Sequence, residues 1–298
     1  MQKKINLNRV IYGTARLGNF SYGYSKENIL NYDQRESLIS KVIELGINRF
    51  DTSPHYNDAE IVLGKAITKT KTLIDSKVIN LKPGDKNSQK IIFNQVENSL
   101  KRLNKENLNV LYLHQNEIEI LSDKYIQIGL KKILQYGLAK KIGSSVYSHL
   151  EFDYSLESDV FSVIQAPVNI LNYSFYKKFI LSKKRLSKEL VARSIFLQGT
   201  LMNVDFKKLS KLNKDLSRTI SDLKRICLIN ETTIINEAKH SVFELNDLSV
   251  IQSSLSIDNI LSNLHYHSNK KKIAIKGEIE KLRDIEYSFT NPRNWKND

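Results

Sequence analysis

The chain has 298 residues, 41% of them hydrophobic, enough for a sizeable core, and no apolar run approaches the roughly 20 residues needed to cross a bilayer. Its single cysteine, Cys227, excludes an intrachain disulfide framework and a cysteine-rich metal site. The net charge of +14 is spread along the chain, from KKINLNR to NKKKIAIKGEIEK, amid abundant Asn and Ile. It reads as composition, and no RNA-binding aromatic signature or zinc-finger spacing accompanies it, so neither nucleic acid nor membrane is an expected partner. The start MQKKINLNRVIYGT runs into an apparent strand without the apolar stretch of a signal peptide, and a soluble, cytoplasmic protein is expected.

Strand and helix patterns alternate along the chain. RVIYGT (9–14) reads as a strand, ESLISKVIELG (36–46) as an amphipathic helix stopped by Gly46, and INRFDT (47–52) as the next strand. Helix follows at 58–68, strand at 72–78, helix at 88–103 and strand at 108–114. DKYIQIGLKKILQYG reads as a helix stopped by Gly137, then AKKIGSS (139–145) and DVFSVIQAP (159–167) as strands. ELVARSIFLQG (189–199), a long polar helical region over about 206–242, the strand DLSVIQSS (247–254) and the helix SIDNILSNL complete the series. Eight strands separated by helices fit a (β/α)8 TIM barrel, with a doubly wound sheet as the alternative. Residues 1–298 read as one domain, with 267–298 as a tail packed on the barrel.

In such a barrel the residues just past the C-terminal strand ends converge. Asp51 and Tyr56 follow one strand, Lys77 ends the next, and His114 ends the one after. An acid, a phenol, an amine and an imidazole facing one cavity suit proton transfer. Each alone has a plainer explanation: a helix cap at Asp51 or Asp58, a rim aromatic at Tyr56, surface charge at Lys77, a core histidine at His114. Neither GxGxxG nor GxxxxGK(S/T) occurs, so a dinucleotide would have to bind by other means than a Rossmann or P-loop turn.

Taken together, the motifs resemble the aldo-keto reductase family. YGTARLG (12–18), GINRFDTSPHYNDAEIVLGKAI (46–67), NSLKRLNKENLNVLYLHQ (98–115), GLAKKIGSSVYS, VIQAPVNIL, ARSIFLQGTLM and VIQSSLSIDNILSNL follow in the family's order. GTARLG, SSVYS and RSIFLQG look most like a branch found among bacterial surface-polysaccharide genes. The resemblance implies an NAD(P)H-dependent carbonyl reductase with Asp51, Tyr56, Lys77 and His114 as its tetrad. Tyr56 would protonate the carbonyl oxygen as hydride arrives. Lys77 would lower the phenol pKa, Asp51 would hold Lys77 charged, and His114 would orient the substrate oxygen. A nucleotide-sensing barrel of the same family with little turnover is the competing function; a metal-dependent hydrolase would need His-rich strand ends that six histidines at these spacings do not supply, and no metal is expected.

The same resemblance implies cofactor contacts from Gly13 and Thr14, from Ser145 and Gln165 to the nicotinamide carboxamide, and from Gln198, Gly199 and Leu201 to the pyrophosphate. Ser253, Ser256, Asn259 and Asn263 would hold the adenosine phosphate. Three positions depart from the family pattern: Val146 replaces a common asparagine, Arg193 stands where many members stack an aromatic ring on nicotinamide, and Asn259 replaces an arginine or glutamine. NADP(H) is expected over NAD(H), with Lys270, Lys271 and Lys272 near the phosphate segment. Phe20, Tyr22, Tyr24, His55, Tyr147 and Trp295 are the candidate walls of a pocket for a small polar carbonyl substrate.

Overall fold

The computed structural model describes residues 2–18, 23–24, 29–68, 70–202, 204–267, 277, 279–280, 290 and 295. Along the chain run β1 (Gln2–Lys4), β2 (Val10–Gly13), α1 (Ala15–Gly18), α2 (Tyr32–Glu44), β3 (Arg49–Asp51), α3 (Ala59–Ala66), β4 (Leu73–Val78), α4 (Ser88–Leu103) and β5 (Leu108–Leu113). They are followed by α5 (Ile118–Leu121), α6 (Lys124–Gln135), β6 (Ala139–Ser145), α7 (His149–Glu157), β7 (Val163–Pro167), α8 (Ser174–Leu181) and β8 (Glu189–Arg193). The last elements are α9 (Phe206–Leu212), α10 (Lys214–Ile229), α11 (Ile234–Phe243), β9 (Leu248–Gln252), α12 (Ile257–Asn263) and β10 (His265–His267). Strands β2 to β9 close in order into a parallel barrel, a (β/α)8 TIM barrel. Among the described residues, no helix is long and apolar enough to cross a membrane.

The local signals explain the element ends. Asn31 and Gln34 form a reciprocal capping box that starts α2, and Gly46 at φ 94° ends it. Asp123 accepts from the backbone N–H groups of Tyr125 and Ile126 to start α6, and Gly137 at φ 69° follows its end. The stretch 206–242 is three helices rather than one, because it contains its own caps: Asn213 accepts from Leu216 N–H and Thr233 from Asn236 N–H. Two features were not visible in the sequence pattern: α7 and α8, and the antiparallel pairing of β1 with β10, in which Lys3 lies opposite Tyr266.

Side chains alternate across each barrel strand. Val10, Tyr12, Phe50, Ile74, Val78, Leu111, Ile142, Ile164, Leu190 and Val250 belong to the large apolar cluster packed under the helices. Ile11, Val110, Tyr112, Val163 and Val191, with Ile251 against them, form a separate cluster, the middle of the barrel interior. Gly143 sits opposite Tyr112 on the neighbouring strand, and a Cβ there would lie 2.5 Å from the Tyr112 ring. Ile279 and Trp295 are buried in the large cluster, and Asn172 donates to Thr290 Oγ1 at 3.3 Å.

At the other end of the interior lies a layer of charge. Arg49 donates to Asp75 at 2.9 Å and pairs with Glu189, which Lys141 also meets at 3.0 Å; Asn109 donates to Asp75 at 2.7 Å. Burial pushes the Asp75 carboxyl up to about 6, against the pull of Arg49. Arg49→Met leaves the buried Asp75 carboxylate without its cation, while half-buried Glu189 keeps Lys141, and about 3 to 5 kcal/mol of stability is expected to be lost. The native carboxyl of Asp75 then holds its proton to higher pH than the unfolded one, so the penalty grows as pH rises through 4 to 6 and beyond. Urea unfolding of the variant at pH 5 and pH 8 should show the larger deficit at pH 8.

Candidate active site

The mouth of the barrel brings together residues from β2, β3, β4, β7, β8 and β9. Lys77, fully buried on β4, donates from Nζ to Asp51 Oδ1 at 2.7 Å and to the Thr52 carbonyl at 2.8 Å. The second oxygen of Asp51 accepts from Gln165 Nε2 at 2.9 Å, and Gln165 Oε1 accepts from Ser145 Oγ at 3.2 Å. A continuous chain of polar contacts therefore runs across β4, β3, β7 and β6. Lys77 Nζ stands 5.3 Å from the centroid of the Tyr56 ring. His114 follows β5, half-buried, with its backbone N–H donating to the Val78 carbonyl at 3.1 Å, and its ring centroid is 6.5 Å from that of exposed His55.

The loop carrying Tyr56 is held from outside. Asp58 caps nothing with its side chain; it takes a two-point contact from Arg35, at 2.7 and 2.9 Å, while Arg35 Nη1 also donates to the Leu17 carbonyl at 2.7 Å. Asn57, in a left-handed conformation at φ 48°, donates to the Gly18 carbonyl at 2.8 Å. A Cβ on Gly18 would sit 1.7 Å from the Tyr56 carbonyl oxygen, so only glycine lets these two segments approach. Glu60, wholly buried, ties the start of α3 to Ser76 at 2.6 Å and to Arg102 at 2.7 Å.

The phenol of Tyr56 is pushed well above its ordinary value by burial, with the Asp51 and Tyr147 charges adding to the rise and Arg193 opposing it. The sequence expectation that Lys77 lowers it is not met in this geometry. Lys77 spends its charge on Asp51, and the nearly neutral pair leaves desolvation in control. Tyr56 is thus kept protonated, which is the form a proton donor needs.

Above this layer lies a cavity of about 130 Å³, lined by Asp51, Tyr56, Gln165 and Arg193 and by Gly13, Gln198, Gly199 and Ser253. The segment after β8 folds over it with three non-glycine residues at positive φ, Ser194 (58°), Leu197 (47°) and Gln198 (54°). Such conformations each cost of order 1 to 3 kcal/mol and concentrate at ligand clamps. Tyr24 N–H on the Gln198 carbonyl, at 2.8 Å, pins the segment. Arg193 donates from Nη2 to the Val146 carbonyl at 2.8 Å, and its guanidinium carbon lies 3.8 Å from the Tyr147 ring centroid.

Other expected residues lie elsewhere. Thr14 is fully buried and donates from Oγ1 to the Asp51 carbonyl at 3.1 Å. Leu201 is a core residue, Ser256 caps α12 by accepting from Asn259 N–H at 3.4 Å, and Asn263 is buried near the end of that helix. None of these, nor Asn259, lines the cavity. Tyr24 is buried with its hydroxyl on the Asp205 carbonyl at 2.7 Å, and Trp295 belongs to the core, so both brace the structure rather than line that cavity. Phe20, Tyr22 and Lys270 to Lys272 lie outside the described residues. Sequence reasoning missed Arg16, Phe196, Met202 and Gln252, which do line it. Gln252 is buried with both amide atoms lacking a partner among the described residues, and the signal for it was present: a polar amide following the apolar pair VI, as Gln165 does in β7.

Comparison with known proteins agrees with this geometry. Residues 9–275 match the model of the aldo/keto reductase family. A curated aldo-keto reductase of Alternaria alternata, AFTS1, is 26% identical over 184 residues, 49% of this chain and 50% of that protein, so the match spans about half the relative's length. By structure, the holo form of aldo-keto reductase AKR11C1 from Bacillus halodurans superposes with a TM-score of 0.73 at 20% identity, covering 95% of each chain. An aldo-keto reductase from Klebsiella pneumoniae in complex with NADPH gives 0.66 at 17% identity over 95% of each, and a glycerol dehydrogenase from Gluconobacter oxydans gives 0.67 at 17% over 92% of this chain and 90% of that one. The structural likenesses establish the fold, and the family match covers nearly the whole length: the chain belongs to the aldo-keto reductase family.

Proposed function

We propose that the protein is an NAD(P)H-dependent oxidoreductase that reduces an aldehyde or ketone to an alcohol, with Tyr56 as the proton donor. The observation that carries this is the Tyr56 phenol lining the cavity beside the buried Lys77–Asp51 pair, with Lys77 Nζ 5.3 Å from its ring centroid. Family membership supports the reaction class.

The cavity residues fit a nicotinamide nucleotide. Among the described residues, Ser253 Oγ, both amide atoms of Gln252 and Arg193 Nε are buried without partners, a set of donors and acceptors suited to amide, hydroxyl and phosphate groups. Gln165 and Ser145 retain hydrogen-bonding capacity beyond their mutual contact and would hold the carboxamide. Gly13 at the end of β2 and Gln198 and Gly199 in the strained segment line the same cavity. NADP(H) is the favoured form, in keeping with the NADPH complex of the Klebsiella relative. When bound, the reduced nucleotide supplies the hydride.

The chain's own residues manage the proton. Hydride on the carbonyl carbon leaves negative charge on oxygen, and Tyr56 gives its hydroxyl proton to that oxygen, so the products are an alcohol and the oxidised nucleotide. Lys77 lies beside the Tyr56 ring, with Nζ 5.3 Å from its centroid, and Asp51 and Thr52 hold the ammonium in place. His114 supplies an imidazole at the same mouth to orient the substrate oxygen.

Titration with NADPH and NADH by fluorescence quenching, followed by a small aldehyde panel, tests the assignment. Binding with turnover is expected, and nucleotide binding without reduction of any aldehyde would point to a sensor instead. Tyr56→Phe should bind NADPH as the parent does and lower turnover by about 10² to 10⁴. Lys77→Met should slow turnover as well. Because the phenol is held well above its ordinary value and the protonated form is the active one in reduction, the rate should stay flat on the alkaline side through about pH 9. A decline centred below pH 8 would show a phenol tuned downward. Gly18→Ala should lower both the melting temperature and turnover, since the added methyl group displaces the Tyr56 loop.

A further inference from the structure

One cation in the cavity, Arg193, has no carboxylate partner among the described residues. Two cations line it, Arg16 and Arg193, and among the described residues the one carboxylate lining it is Asp51. Both oxygens of Asp51 are taken, one by Lys77 and the other by Gln165. Nothing in the lining answers Arg193.

The other interior arginines show how this chain usually treats a guanidinium. Arg49 meets Asp75 and Glu189, Arg35 meets Asp58, and Arg102 meets Glu60. Arg9 satisfies three nitrogens on the carbonyls of Leu248, Phe243 and Leu245. Arg193 has one carbonyl, that of Val146, and one aromatic face, that of Tyr147. Its Nε is buried without a partner, and no carboxylate pairs with it among the described residues. Stacking and the carbonyl contact fix the plane of the guanidinium and leave donors unused. A planar fork so fixed is matched by a carboxylate, which accepts two parallel N–H bonds.

Its place in the barrel puts this fork at the reacting end of the cavity. Arg193 closes β8 two residues beyond Val191, the register partner of Gln165, and Gln165 bonds Asp51. Arg193 and Tyr56 line the same cavity, with Tyr147 beneath the guanidinium.

We propose that Arg193 is a specificity-determining residue that takes a carboxylate on the substrate, so that the enzyme acts on oxo acids: aldehydes or ketones carrying a carboxylate, including acidic sugars in open-chain form. The proposal rests on the carbonyl-reductase function above and adds the substrate class to it. The Tyr147 ring holds the guanidinium at a fixed angle, and Tyr56 protonates the carbonyl oxygen of the acid so held.

Matched acid and amide pairs provide the test: 4-carboxybenzaldehyde against 4-carbamoylbenzaldehyde, and succinic semialdehyde against its amide, at saturating NADPH. The parent protein should prefer the acid in kcat/KM by roughly ten- to a hundredfold, the range of a hydrogen bond to a charged group, with most of the difference in KM. Arg193→Met should bring the ratio to near unity, and Arg193→Lys, which keeps the charge and loses the fork, should restore part of it. NADPH affinity is followed separately by fluorescence quenching, and melting curves confirm that each variant is folded. Equal kcat/KM for acid and amide in the parent overturns the proposal and leaves the reductase assignment standing. A loss of NADPH affinity in Arg193→Met as large as the loss in KM for the acid overturns it too, by assigning the guanidinium to the cofactor. Failure to bind NADPH or reduce any aldehyde removes the reductase assignment and the proposal together.

Discussion

Everything at the mouth of the barrel depends on keeping an ammonium ion out of water. Lys77 is almost fully enclosed, and a buried cation is tolerated when its partners are placed well enough to replace hydration. Here they come from the neighbouring strand: one oxygen of Asp51 and the backbone carbonyl of Thr52. Asp51 in turn needs a donor for its remaining oxygen, and receives it from Gln165 on β7, across the interior. An open sheet would leave β3 and β7 far apart. Barrel closure is thus what makes the pair possible, and the pair in turn holds Gln165 and, through it, Ser145.

That arrangement also decides the state of the phenol. An isolated ammonium 5.3 Å from the Tyr56 ring would favour phenolate, but an ammonium already joined to a carboxylate presents little net charge, and the Asp51 charge acts in the opposite sense. Position, rather than acidity, is therefore what the surrounding structure supplies to Tyr56. Arg35 clamps Asp58 to the Leu17 carbonyl, Asn57 reaches the Gly18 carbonyl, and Gly18 gives the clearance that the Tyr56 backbone needs. On the proposed role of Tyr56, a hydroxyl delivered by a loop this firmly held has little freedom to lose when substrate arrives, which lowers the entropic part of the barrier.

Much of this was legible in the sequence, for identifiable reasons. A strand buried on both faces writes a compact apolar run, and the polar residue that ends it is conspicuous, so Asp51, Lys77, Ser145 and Gln165 stand out and the structure brings them into one connected set. Helices with strong caps and stops were equally plain. What sequence hid was contact made at long range. Tyr24 and Trp295 look like pocket aromatics because they sit near strand ends and the chain terminus, yet both are enclosed, Tyr24 with its hydroxyl on Asp205. α7 and α8 are short, with apolar residues such as Phe152 and Phe175 packed on each other, and their periodicity spans too few turns to be read. The pairing of β1 with β10 joins residues more than 250 positions apart and leaves no local mark.

The interior of the barrel also explains why one guanidinium can carry specificity. Its floor is a charged layer in which Arg49 and Lys141 face Asp75 and Glu189, so each cation has a carboxylate. Over it lies the apolar layer of Ile11, Val110, Tyr112, Val163, Val191 and Ile251. Above that, Lys77 and Asp51 balance each other again. Two compensated layers separated by hydrocarbon leave little net field from below at the cavity. An uncompensated charge at the rim then dominates locally, because a low-dielectric surrounding strengthens its interaction with whatever enters. Arg193 holds that charge, fixed by Tyr147 and the Val146 carbonyl, and any neutral ligand that covered it would bury a cation unpaired. On the proposed function, a substrate that brings its own carboxylate removes the cost, and in doing so sets its carbonyl against the Tyr56 hydroxyl.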